Sequence, residues 1–225
     1  MSEAVHNIDP VQPEKKKPSL FKIITSPAEQ FSRMKENPTV ALPLLIVTAV
    51  FAVFGGIFAY TTDFQTLIGD VPADEAVFIE AAEGIMRLTT FISMLFIPVI
   101  GSLFAAFVMW IAAKITAGEA TFKQLFSLNV FVNLLTGIGL LVNLLIILAF
   151  GLDPLQTYTG LTVFFDPLDQ VFPLVAMFEV FGIWLLILTV IGLRIVVSMS
   201  PAAAWITALI IYAGGSFIAY LSAGL

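Results

Sequence analysis

Cysteine is absent from the 225 residues, and histidine occurs once, as His6 in a polar tail. Disulfides, thiolate metal sites and Ser-His catalysis are therefore excluded or left without residues to carry them. Charge is scarce as well: only 12% of the chain is Asp, Glu, Lys or Arg, against 59% apolar residues. A mean hydropathy of +1.01 places the chain among polytopic membrane proteins. No phosphate-cradling glycine motif, nucleophile elbow, HExxH or metal-ligand cluster is found, so neither a cofactor nor a metal is expected. The net charge of -6 gives no reason to expect a nucleic-acid partner.

What is present is a set of apolar runs long enough to cross about 30 Å of hydrocarbon. Five are expected, at about 40–60, 88–115, 124–150, 171–197 and 202–220. The fold class is thus all-α: a bundle of five transmembrane helices embedded in the lipid bilayer. Residues 1–18 are polar and proline-interrupted, with Lys15, Lys16 and Lys17 in a row, and read as a disordered cytoplasmic tail. The membrane domain is expected over 19–221.

Within it, Ser26-Pro27-Ala28-Glu29 has the pattern of a capping box opening a short helix to about Glu36. Phe31 and Met34 fall on one side of that helix and Arg33 and Lys35 off it, which suits the headgroup boundary and an interaction there. Between the first two spans, the stretch from Pro72 to Glu83 can form a separate acidic surface helix, and Pro98 is expected to kink the second span. Nine of the ten Lys and Arg lie in the tail and in the second and fourth connections, leaving Arg87 apart. The positive-inside rule then puts the N-terminus in the cytoplasm, the C-terminus outside, and the protein in the cytoplasmic membrane.

The fourth run, FEVFGIWLLILTVIGLR, carries Glu179. A charge at such depth costs on the order of 2.5–3.5 kcal/mol. The third run places Asn129, Asn133, Thr136 and Asn143 within about 40° of one line on a helix. Counted from the span ends, Thr136 and Glu179 share a depth, and Gly182 lets a neighbouring helix approach. A polar seam between the third and fourth spans follows. Glu179 could be a protonated hydrogen-bond partner of Thr136 or Asn133, a wall of a small cavity for a ligand or proton, a contact to another protein, or a partner of Arg87.

The run SPAEQFSRMKENP before an apolar helix, GEATFKQLFSL at the third span, and FEVFGIWLLILTVIGLRIVVSMSPAAAW across the fourth and fifth together resemble the Yip domain family, named for its Ypt- and Rab-interacting members. The resemblance covers about Leu20 to Tyr220. It implies five spans with a cytoplasmic N-terminus, and membrane adaptors without an established enzymatic activity, some bacterial ones being encoded beside ABC-type exporters. Family members often carry an aromatic residue and a proline in the third span; Asn129 and Asn133 stand here instead, so a role resting on a proline kink is not expected to carry over. The function expected is that of a non-enzymatic adaptor or accessory subunit of a membrane complex such as an ABC-type exporter, with a homo-oligomer left open. The alternative is a transporter or channel using the seam of Glu179, Asn129, Asn133, Thr136 and Asn143.

Overall fold

The computed structural model describes residues 16–64 and 76–223. Two short helices, α1 (Lys22–Thr25) and α2 (Pro27–Glu36), precede the spanning elements α3 (Ala41–Thr61), α4 (Ala76–Ile115) and α5 (Phe122–Phe150). A loop with a 3-10 turn at Leu161–Phe164 leads to α6 (Phe172–Val175), α7 (Val180–Gly192) with a π-turn over Leu193–Val197, and α8 (Pro201–Ala223). Five helical segments are long and apolar enough to cross a membrane. Among the described residues there is no β-sheet, only one isolated antiparallel bridge between Gly160 and Glu179.

Helix α5 is the centre of the bundle: half of its apolar window is buried, and it packs against α3, α4 and α7. It starts with a capping box, in which the Gln124 N–H donates to Thr121 Oγ1 and the Thr121 N–H donates to Gln124 Oε1 (2.7 Å). It ends at Gly151, whose φ of 61° suits a left-handed helix stop. Close approach is built in by Gly137, where a Cβ would come 2.7 Å from Val50, and by Gly139, where it would come 2.9 Å from Phe181.

Three expectations need correction. The acidic helix and the second span are not separate: α4 is one helix from Ala76 through Pro98 to Ile115, about 60 Å long at 1.5 Å per residue. Pro72 to Glu75 lie outside the described residues. Only Gly84 interrupts the acidic stretch, and the Arg87–Glu83 ion pair four residues apart (2.5 Å) supports continuity. Arg87 also donates to the carbonyls of Ala59 (2.7 Å) and Tyr60 (3.0 Å), capping the end of α3. It is therefore engaged away from Glu179.

The second correction concerns the N-terminal helix. Ser26 makes no side-chain cap bond, and Glu29 pairs instead with Arg33. Phe31 and Met34 do not face the headgroups, since both are 0% exposed. They are inserted into the end of the bundle, where the Phe31 ring and Leu128 lie against Gly192. The polar side of α2 is tied down too: Lys35 donates to Ser198 Oγ (2.9 Å), and the Lys35 carbonyl accepts from Gln124 Nε2 (2.6 Å). Thus α2 lies across the end that carries Lys17, Lys35 and Lys123, while Asp63, Asp153 and Asp166 gather at the other.

The third correction is to the fourth span. It is not one helix from 171 to 197 but is broken between Val175 and Val180.

Candidate functional site

The break converts Glu179 from a mid-helix residue into the N-cap of α7, with φ -110° and ψ 141°. Its two carboxylate oxygens are used separately. The Thr159 hydroxyl donates to Oε1 (2.8 Å), and the Gly182 N–H donates to Oε2 (2.6 Å). Each oxygen of the carboxyl group thus accepts one hydrogen bond, and the Gly182 amide is one of the donors that the first turn of a helix leaves without a helical partner. Thr136 and Asn133, partners in one of the readings open to Glu179 from sequence, are not bonded to it; its partners are a loop hydroxyl and an amide of its own helix.

A broken helix within an apolar span exposes backbone groups that hydrocarbon cannot satisfy. Here they are closed by neighbours. The Phe178 carbonyl accepts from the Leu161 N–H (3.2 Å), and the Val180 N–H donates to the Thr159 carbonyl (3.2 Å), which forms the Gly160–Glu179 bridge. The Met177 carbonyl accepts from the Tyr212 hydroxyl of α8 (2.6 Å). Close approach at both contacts depends on glycine. A Cβ on Gly160 would come 2.9 Å from the Phe178 carbonyl oxygen, and one on Gly182 would fall on the Tyr212 hydroxyl.

The returning loop is held from the other side by Asn143 of α5. Asn143 Oδ1 accepts from the Tyr158 N–H (2.6 Å), and its Nδ2 donates to the Gln156 carbonyl (3.1 Å). One side-chain amide thus satisfies an acceptor and a donor of the loop backbone. Glu179 and Asn143 act as two fasteners of the same segment.

The asparagine stripe consequently divides. Asn143 belongs to the Glu179 end, whereas Asn133 Nδ2 donates to Ser102 Oγ of α4 (2.8 Å) and to Asn129 Oδ1 (3.2 Å). Thr136 lies between the groups and lines two cavities. One of about 210 Å³ is shared with Asn143, Thr159 and Glu179; the other, about 350 Å³, with Asn129, Asn133 and Tyr212. Thr136 and Glu179 both line the smaller cavity, without a direct bond between them. Thr159, Ser102 and Tyr212 were not anticipated, because each comes from an element whose packing the sequence does not reveal.

The family model of the Yip1 domain matches residues 21–222. Membrane protein YknW of Bacillus subtilis (strain 168) is 34% identical over 200 residues, which covers 87% of this chain and 86% of that protein. No solved structure matches the chain. With its helical bundle and five candidate membrane spans, and a match running from before α1 to the end of α8, this chain is a multi-pass membrane protein that belongs to the Yip1 domain family.

Proposed function

We propose that this protein is a non-enzymatic accessory or adaptor subunit of the cytoplasmic membrane, with its N-terminus inside, that works by contacting another membrane protein. The observation that carries this reading is the internal closure of the polar seam. Glu179, Asn143 and Asn133 all direct their hydrogen bonds to partners within the chain. Such groups fix the bundle's shape, and the surfaces left for work are its flanks and ends. An ABC-type exporter is the partner class that the resemblance suggests. Affinity capture of the tagged chain from native membranes in mild detergent tests the reading. A membrane protein recovered in stoichiometric amount is expected; recovery of the chain with lipid alone would overturn it.

A second reading, a conduit for protons or a small solute, is favoured by the two cavities that meet at Thr136, Ala176 and Gly182. Proteoliposomes under an imposed pH gradient separate the two. A conduit leaks protons in a way that Glu179→Gln abolishes, whereas an accessory subunit shows no flux above empty vesicles.

A further inference from the structure

A cavity larger than the two at the seam lies away from them, at the lysine-bearing end. The segment Lys17–Phe21 runs beside the start of α3 and leaves a groove of about 820 Å³ between them, within the range of about 300–1,000 Å³ common to small-ligand sites. Its walls are fixed. The Ser19 N–H donates to Gln30 Oε1 (2.8 Å), and the buried Leu20 anchors the segment on the core. On the other side, Ser127 Oγ donates to the Thr39 carbonyl (2.7 Å).

The groove is amphipathic in a definite direction. Leu42, Pro43 and Ile46 of α3 form an apolar floor, with Phe21 on the rim, and Leu42 and Phe21 are 66% and 64% exposed. Lys17 and Lys123 line it, and no carboxylate does so among the described residues. The first turn of α3 adds to this: Val40 offers no side-chain cap, so the Ala41 and Leu42 amides have no partner in their helix.

We propose that this groove binds an anionic phospholipid, its phosphate between Lys17 and Lys123 and its acyl chains along Leu42 and Ile46. Two cations, with no carboxylate among the described lining residues, select an anion. The apolar floor on the flank of a spanning helix selects an amphiphile over a free phosphate or an acidic peptide, because neither would cover it. This goes beyond the accessory reading and does not depend on it.

Native mass spectrometry of the delipidated full-length protein, titrated with phosphatidylglycerol, with phosphatidylcholine of the same chains, and with glycerol phosphate, tests the proposal. Phosphatidylglycerol is expected to bind about tenfold or more tightly than phosphatidylcholine. Lys17→Gln with Lys123→Gln should abolish the difference, and Leu42→Trp should weaken both lipids. Lys22→Gln with Lys114→Gln, which removes two exposed charges that do not line the groove, should leave the preference intact. Equal binding of the two lipids, binding of glycerol phosphate as tight as that of phosphatidylglycerol, equal loss in the control pair, or an acidic protein held through the same lysines would each overturn it.

Discussion

Replacing Glu179 with alanine removes the acceptor of both the Gly182 amide and the Thr159 hydroxyl. Loss of an N-cap costs about 0.5–2 kcal/mol, and a buried donor left without its acceptor costs about 1–3 kcal/mol. Together they give a destabilisation of about 2–4 kcal/mol after allowing for relaxation of the freed hydroxyl. For a chain of this size each kcal/mol moves Tm by about 2–4 °C, so Glu179→Ala should melt about 4–16 °C lower. Glu179→Gln keeps one acceptor oxygen but presents a donor NH₂ to the other donor, and should fall between. Unfolding in detergent is commonly irreversible, so the variants are compared by scanning fluorimetry at one scan rate in one detergent. Thr159→Val alone and combined with Glu179→Ala completes a cycle whose coupling should be about 1–2 kcal/mol. A Glu179→Ala protein melting within about 1 °C of wild type would refute the capping argument.

Asn143→Leu frees the Gln156 carbonyl and the Tyr158 N–H, and chymotrypsin should cut the 152–171 loop about tenfold faster or more; an unchanged rate would count against the clamp. Gly182→Ala drives a methyl onto the Tyr212 hydroxyl and should destabilise by about 1–3 kcal/mol, with partial rescue by Tyr212→Phe in thermal melts. Phe31→Ala should cost about 3–5 kcal/mol if α2 is part of the core, while Arg33→Ala, whose ion pair is surface-exposed, should stay within about 1 kcal/mol. Equal small effects of the two substitutions would mean that α2 is a loosely held surface helix.

The first, third and fifth spans were legible in the sequence because each is a long apolar run bounded by residues that stop helices, such as Gly151 after α5. The break before Val180 was not. No glycine or proline lies between Leu174 and Phe181, and glutamate is a poor N-cap by propensity. The break is fixed by bonds from residues about twenty positions away, Thr159 and Leu161, and from Tyr212. The same limit explains the two capping patterns: Ser26 with Glu29 and Thr121 with Gln124 look alike in sequence, and only the second is formed. In the first, Arg33 one turn further on takes Glu29 away. Helical periodicity put Asn129, Asn133, Thr136 and Asn143 on one face of a helix. It could not say that Asn133 would meet Ser102 while Asn143 met a loop.

The seam acts as a fastener only through the pairing of the returning loop with the broken span at Gly160 and Glu179. The natural absence of cysteine makes a direct measurement available. In the Leu161→Cys, Phe178→Cys protein, Gly160, Thr159 and Glu179 are untouched and both replaced side chains are exposed. The two residues face each other across the bridge, the Leu161 N–H donating to the Phe178 carbonyl (3.2 Å), a pairing whose Cα atoms lie about 5.5 Å apart, within the range of a disulfide. Mild oxidation in membranes should then protect both thiols from a maleimide probe in most molecules, with each single-cysteine protein labelled under the same conditions. Full labelling of the double variant after oxidation would mean that the loop does not lie against the fourth span, and would contradict the account.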